Sequence, residues 1–293
     1  MATLADLVHT DGFVIFDGAM GTMLQGCGLD DGGAPELWNV ERPETIRAVH
    51  EAYLRAGARV VTTNTFGGTR PRLDMHGLGD RVEELSAAGA RVAREAAAPY
   101  GALVAGGLGP TGELLEPLGT LTPDAAEELF GEQLLGLRAG GIDLVLIETM
   151  SDLAEVEAAV RAAQRVVPGL PVVATLSFDT KGRTMMGVTP AQAVTALAAL
   201  GVSAVGANCG RGPEEMETVM AQMVAARPPG LLLIAQSNAG LPQLVGDHFE
   251  YDAPPAALAE HARRLREQGV DLIGACCGST PDHLSAVREA LAG

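Results

Sequence analysis

The chain has 293 residues, 47% of them hydrophobic but only 3% aromatic, and a net charge of −17. An acidic surface of this kind repels phosphate backbones and argues against nucleic acid as a partner. No apolar run approaches the roughly 18 residues of a membrane span, and Met1–Thr10 lacks the basic-then-apolar pattern of a signal peptide, so a cytoplasmic protein without a membrane partner is expected.

Along the chain, short β-rich runs alternate with Ala/Leu-rich amphipathic stretches. The first expected strand, Phe13–Asp17, leads through a long connection, Gly18–Arg42, to a helix over Pro43–Ala56. Strand Arg59–Thr65 precedes helix Val82–Ala97, Leu103–Leu108 precedes Pro123–Ala139, and Asp143–Glu148 precedes Asp152–Val166. Strand Val172–Phe178 is followed by helix Pro190–Leu200, and Ala204–Asn208 by Pro213–Ala226. Leu231–Ser237 with Pro255–Gln268, and Asp271–Ala275 with Pro281–Leu291, complete the series. Thr122-Pro123, Thr189-Pro190 and Thr280-Pro281 are helix start signals, an N-cap followed by a proline that needs no intrahelical N–H.

Strict βα alternation implies parallel strands with right-handed crossovers. Eight units fit a single (β/α)8 TIM barrel spanning residues 1–293, with no linker to divide it; an open doubly wound sheet is the alternative. The G-x-G-x-x-G phosphate fingerprint is missing after the first strand, which weakens the nucleotide-binding form of that alternative. The Gly18–Arg42 connection, which holds the only tryptophan, Trp38, is expected to act as a lid over the active face.

Barrel chemistry sits where strands end, and the unusual residues of this chain collect there. Asp17-Gly18, Thr63-Asn64-Thr65, Glu148-Thr149, Asn208-Cys209-Gly210, Ser237-Asn238 and Cys276-Cys277-Gly278 all fall at expected strand ends. One cysteine at a strand end is ordinarily a small buried hydrophobe; three at one face, on strands two apart in the ring, suit a shared metal. Neighbouring strand residues point to opposite faces, so Cys276 and Cys277 reach one ion only if the chain turns, and Gly278 permits that turn. Three thiolates select zinc, and three protein ligands with an open position form the catalytic arrangement rather than the structural one. At the open position a thiol substrate loses its proton and becomes a nucleophile without a general base. Cys27, in the long connection, is read as a bystander.

These motifs, Phe16-Asp17-Gly18-Ala19-Met20-Gly21-Thr22, Thr63-Asn64-Thr65-Phe66, Ile147-Glu148-Thr149, Asn208-Cys209-Gly210, Asn238-Ala239-Gly240-Leu241-Pro242 and Gly274-Ala275-Cys276-Cys277-Gly278, cover nearly the whole chain. Together they resemble the homocysteine S-methyltransferase family, in particular the homocysteine-binding barrel of cobalamin-dependent methionine synthase. The resemblance implies zinc on Cys209, Cys276 and Cys277, homocysteine bound as a zinc thiolate, and its methylation to methionine. It further implies that Asp17 and Glu148 bind the substrate's ammonium, that backbone amides near Gly18 or Thr65 hold its carboxylate, and that Asn238 approaches the open zinc position when substrate is absent.

The segment Asp74-Met75-His76-Gly77-Leu78-Gly79 fits the D-x-H-x-x-G pattern of cobalamin ligation. It lies inside a barrel connection rather than in a doubly wound domain, and is read as coincidence. The expected donor is methylcobalamin, bound elsewhere or on a corrinoid-carrying partner domain or protein; Ser177-Phe178-Asp179 with Gly182-Arg183-Thr184 and Gly187 looks closer to the cobalamin-dependent group. Betaine or S-methylmethionine as donor, and a non-catalytic zinc- or thiol-binding module, are the competing readings.

Overall fold

A computed structural model describes residues 3–29, 32–179, 181–241, 243–245 and 248–292. Its eight parallel strands are β1 (Val14–Ile15), β2 (Val60–Thr62), β3 (Leu103–Leu108), β4 (Leu144–Met150), β5 (Val172–Leu176), β6 (Ala204–Cys209), β7 (Leu232–Ser237) and β8 (Leu272–Ala275). They form one sheet in the order β1-β8-β7-β6-β5-β4-β3-β2. The two ends of that sheet meet: Phe16 bridges Val60 in the parallel sense, Arg59 N–H donates to the Ile15 carbonyl at 2.8 Å, and Asp17 N–H to the Val60 carbonyl at 3.1 Å. The ring is closed, so the expected TIM barrel holds and the open sheet does not.

The surrounding helices are α1 (Pro43–Ala56), α2 (Val82–Ala97), α3 (Pro123–Gly140), α4 (Leu153–Val166), α5 (Pro190–Ala199), α6 (Pro213–Ala226), α7 (Pro255–Gln268) and α8 (Pro281–Ala292). Thr122 and Thr189 cap α3 and α5 through their hydroxyls, as the Thr-Pro signals predict. With few aromatics, the layer between helices and barrel is built from aliphatic side chains and alanines. Glycine lets α3 come very close to α2: a Cβ on Gly140 would lie 2.4 Å from that of Ala90.

The first two strands are shorter than their sequences predict. On the β1 side the Thr62 N–H goes to a side chain, the Asp17 carboxylate, at 2.7 Å, while on the β3 side the Thr63 N–H still reaches the Ala105 carbonyl at 2.9 Å. Besides the short helices Met20–Gly26, Trp38–Glu41 and Arg70–Asp74, two further elements escape the sequence reading. A helix over Leu4–Asp11, started by a Thr3/Asp6 capping box, carries Leu4 and Leu7 into a cluster with Val14, Phe16, Val60, Leu103, Leu144 and Leu272. These are residues near the strand starts, so the helix plugs the N-terminal end of the barrel. A small antiparallel hairpin, Gln243–Val245 with His248–Glu250, lies between β7 and α7. No described helix is long and apolar enough to cross a membrane.

Candidate active site

Strand periodicity positions the site. Residues alternate between the barrel interior and the helix layer, so the inward series on β4 runs Leu144, Leu146, Glu148, and on β6 Ala204, Gly206, Asn208. On β8 and its extension it runs Leu272, Gly274, Cys276. Each series starts apolar and ends polar. The apolar cluster therefore fills the lower interior, and Thr62, Glu148, Asn208, Gln236 and Cys276 line the cleft above it, a space of about 780 Å³.

Cys209, Cys276 and Cys277 converge, their sulfurs within 4.8 Å of one another. Cys209 Sγ lies 2.8 Å from Cys276 Sγ, which is 3.9 Å from Cys277 Sγ. Among the described residues no other set of three His, Cys, Asp or Glu side chains gathers its ligand atoms this closely. Cys209 turns inward through its own backbone, at φ +59°, a conformation that costs a non-glycine residue of order 1 kcal/mol and collects at functional sites. Gly278, at φ +79°, makes the turn expected after the vicinal pair, and the Tyr251 ring covers it so closely that a Cβ there would sit 2.2 Å from the ring. Cys277 is the sulfur that carries charge: hydrogen bonds from Cys209, then Cys276, and a weaker one from Tyr251 hold its pKa at about 3, against the opposing effect of burial. Cys276 is pushed well up, by donating to Cys209 and to Cys277 and by burial. Three converging sulfurs, one of them readily ionised, form a donor set suited to a thiophilic dication such as zinc.

The backbone around these sulfurs is clamped by the end of β7, the strand between β6 and β8. Ser237 pairs with Cys209 and accepts the Cys276 N–H at 2.7 Å. Ala239 N–H donates to the Cys277 carbonyl, and Asn238 Nδ2 to the Gly210 carbonyl at 2.8 Å. Ser237 is itself held by a buried relay: its hydroxyl lies 2.6 Å from His261 Nε2, and His261 Nδ1 lies 2.7 Å from Glu217, which also binds Arg264. Ser237 and His261 are buried outside the cleft lining, so this arrangement fixes geometry and offers no nucleophile.

Asp17 and Glu148 enter the same cleft. Both Asp17 oxygens are engaged by Thr62, its N–H at 2.7 Å and its hydroxyl at 3.0 Å. Burial nevertheless raises the Asp17 pKa to about 7. Burial, then the charges of Asp17 and Cys277, raise Glu148 to about 8. Two carboxyls that hold their protons near neutrality are prepared for a cation.

Gly18 is obligatory where it stands: a Cβ would come within 2.6 Å of Ser279 Oγ and 2.8 Å of the Tyr53 ring. Those two residues bind the loop after β1 to the loop after β8. Ala19 N–H donates to Ser279 Oγ, and Tyr53 Oη to the carbonyls of Ala19 and Ser279. Thr65 lines the cleft, but its N–H is bonded to the Thr63 carbonyl and its hydroxyl to the Gly107 carbonyl. Among the described residues the Gly18 N–H has no such partner. Asn238 lies beside the Cys209–Gly210 turn with its Oδ1 buried and unpaired.

The long connection after β1 is less free than a lid. Trp38 and Asn39 are buried, Asn39 Nδ2 donates to the carbonyls of Asn64 and Leu85, and the Arg42 guanidinium lies 4.3 Å over the Trp38 ring. Gly32, Gly33, Pro35 and Glu36 form one wall of the cleft; Asp30 and Asp31 lie outside the described residues. Cys27 is exposed, away from the three sulfurs. The Asp74–Gly79 segment stays in the β2–α2 connection, with His76 and Arg72 at the outer part of the cleft. The sequence reading passed over Thr62, Gln236, Tyr53, Tyr251 and Ser279. The first two are found by extending the inward parity of β2 and β7; the last three act through tertiary contacts that leave no local signal.

Comparison with known proteins agrees with this geometry. The homocysteine S-methyltransferase family profile matches residues 14–291. Methionine synthase from Mycobacterium tuberculosis is 37% identical over 295 aligned positions covering 95% of this chain, and that from Mycobacterium leprae 36% identical over 95%. The chain spans only 24% of the length of either relative. Among solved structures, the metallated form of the homocysteine methyltransferase MmuM from Escherichia coli superposes with a TM-score of 0.81 at 25% identity, covering 98% of this chain and 99% of that one. The oxidised form of the same enzyme gives 0.79 at 26% identity, covering 98% of each chain.

Proposed function

This chain belongs to the homocysteine S-methyltransferase family, and from that premise we propose that it transfers a methyl group to the sulfur of homocysteine, giving methionine. The observation that carries the reading is the meeting of three cysteine sulfurs and two buried, proton-holding carboxyls in one cleft. Cys209, Cys276 and Cys277 would hold zinc, which when bound supplies a Lewis-acid position at which a thiol sheds its proton near neutral pH. Asp17 and Glu148 take the substrate's ammonium: its arrival offsets their mutual repulsion and draws both into the ionised form. The free N–H of Gly18 takes the carboxylate, in a loop pinned by Tyr53 and Ser279, while Thr65 shapes the adjoining wall. Asn238, with a buried unpaired oxygen beside the cysteine turn, would approach the metal position when no thiol is there. The thiolate sulfur uses a lone pair to form the S–CH3 bond, and the electron pair of the broken bond stays with the donor.

Among the described residues, those deep in the cleft, at the cysteines and carboxyls, serve the acceptor, and we read the donor as bringing a methyl that is already reactive. A methylated corrinoid carried on a separate domain or protein is the reading preferred here. Two observations support it. The curated relatives extend far beyond the matched barrel. Of the exposed large apolar side chains among the described residues, Phe66, Met75, Leu114, Leu118, Met185, Met186 and Leu241 sit on connections that follow strands, around the face where the cleft opens, and only Tyr100 and Leu135 lie elsewhere. The test is methionine formation by zinc-loaded protein with homocysteine and, separately, methylcobalamin, betaine and S-methylmethionine. Turnover with methylcobalamin is expected; brisk turnover with a small donor and none with methylcobalamin overturns the corrinoid assignment. Loss of turnover with every donor overturns the methyltransferase reading in favour of a binding module.

A further inference from the structure

We propose that Gln236 is a third substrate-binding acceptor, taking one N–H of the ammonium that Asp17 and Glu148 neutralise. This inference rests on the homocysteine reading above and deepens it.

Gln236 is the inward-facing residue near the end of β7, in register with Asn208 on β6 and Gly274 on β8. Two amide side chains therefore lie side by side in the polar layer of the barrel, and they are in different states. Asn208 is saturated: its Oδ1 accepts from Thr149 N–H at 2.9 Å and Thr175 Oγ1 at 2.8 Å, and its Nδ2 donates to Thr149 Oγ1 at 2.7 Å and toward two of the sulfurs. Gln236 is 5% exposed and lines the cleft, yet its Oε1 is buried without a partner. A buried acceptor left unpaired has lost its hydrogen bonds to water without replacing them, so a side chain held in that state at the wall of a substrate cleft is prepared for a ligand donor.

Its surroundings decide which donor. At Gly274 the missing side chain leaves Gln236 Cγ and the Asp17 carbonyl facing each other, 3.1 and 3.0 Å from where a Cβ would stand. On the other side, the missing side chain of Gly107 leaves Glu148 Oε1 and Thr62 Cγ2 each 3.1 Å from the corresponding point. Thr62 in turn carries Asp17. The two glycines let Gln236 and Glu148 pack close to the inward layer that carries Asp17, and all three residues line one cleft. All three present acceptors, and two of them charge negatively. An ammonium has three N–H groups in a tripod and one positive charge, which suits two carboxylates and a neutral amide oxygen. A hydroxyl or amide ligand would leave the carboxylates unneutralised.

The test uses zinc-loaded protein and calorimetric titration with homocysteine and with 4-mercaptobutanoate, which lacks only the amino group. In Gln236→Met, which keeps the length and removes the acceptor, the Kd for homocysteine is expected to rise roughly tenfold. Zinc content and the Kd for 4-mercaptobutanoate should stay within twofold. Gln236→Glu retains an acceptor oxygen at the same reach and should bind homocysteine at least as tightly as the wild type. Unchanged homocysteine binding in Gln236→Met, an equal loss for both thiols, or an equal loss in Gln236→Glu overturns the proposal. A wild-type protein that binds the two thiols equally overturns the ammonium role of Asp17 and Glu148 themselves, a failure distinct from a Gln236 defect confined to the variants.

Discussion

The two ends of the barrel interior are made from the same eight strands and have opposite characters. At the lower end Val14, Phe16, Val60, Leu144 and Leu272 pack together under the Leu4–Asp11 helix. At the upper end, one or two residues further along the same inward series, stand Thr62, Glu148, Asn208, Gln236 and Cys276. The lower end stabilises by removing apolar surface from water. The upper end keeps buried carboxyls, an orphaned amide oxygen and a left-handed cysteine, all of which cost stability unless a ligand compensates them. Substitutions above should therefore change binding and chemistry at little cost to the fold, and substitutions below should do the reverse.

The largest effect is expected from Cys276→Ala. Removing one of three sulfurs should reduce zinc from one per chain to a trace and lower methyl transfer by more than a hundredfold. The far-ultraviolet circular dichroism of the fold should be retained. Elemental analysis decides it: full zinc in this variant would show that the three sulfurs are not the metal site.

Next comes Glu148→Gln, expected to weaken homocysteine about a hundredfold with zinc retained. It carries a pH signature as well. Unfolded, Asp17 and Glu148 titrate near 4; folded and without metal, burial lifts them to about 7 and 8. Their contribution to stability is therefore complete below about pH 4 and is lost as pH rises through 7 and then 8. Urea melts of metal-stripped protein between pH 5 and 9 should show stability falling with pH, with a shallower fall in Glu148→Gln. An identical pH slope in the two proteins would mean that Glu148 is ionised in the folded chain.

Much of this contrast was legible before any coordinates. Strand–helix alternation and the Thr-Pro starts fixed the order of the eight units, and the polar residues at strand ends marked the upper face. The three sulfurs were recognisable because a cysteine and a vicinal pair fall two strands apart in a ring. What stayed hidden depends on tertiary closure. That the Asp17 carboxylate would accept the Thr62 N–H follows only once β1 and β2 meet across the seam. The Tyr53–Ser279 tie links residues 226 positions apart. The N-terminal plug is missed because Leu4 and Leu7 on a two-turn helix give little periodicity to read, and the length of the Gly18–Arg42 connection suggests a lid although Trp38 within it is buried in the core.

The lower end supplies the converse test. Leu7→Ala should destabilise the fold by about 2–3 kcal/mol, the lower part of the range for a buried leucine truncation, since its cavity opens beside a short terminal helix able to adjust. Zinc content, and methyl transfer per folded molecule, should not change. A variant with a normal melting midpoint would show that the helix does not seal the barrel. A variant with normal stability but altered homocysteine affinity would break the division between the two ends.

The smallest effect should come from Cys27→Ala, and its value lies in that smallness. Cys27 is the fourth cysteine of the chain and closes the short helix Met20–Gly26, on the connection that walls the cleft. Were this connection to fold inward over the metal, Cys27 would be the natural fourth sulfur, and the centre would become a closed structural site with no position left for substrate. The structure places it exposed, outside the converging trio, and the burial of Glu36, Trp38 and Asn39 further along holds the connection in place. Surface substitutions of this kind shift stability by no more than about 0.5 kcal/mol. Zinc affinity measured by chelator competition, homocysteine affinity and turnover should all match the wild type. A faster loss of zinc to the chelator in Cys27→Ala would place a fourth cysteine at the metal and remove the open coordination position on which the proposed chemistry depends.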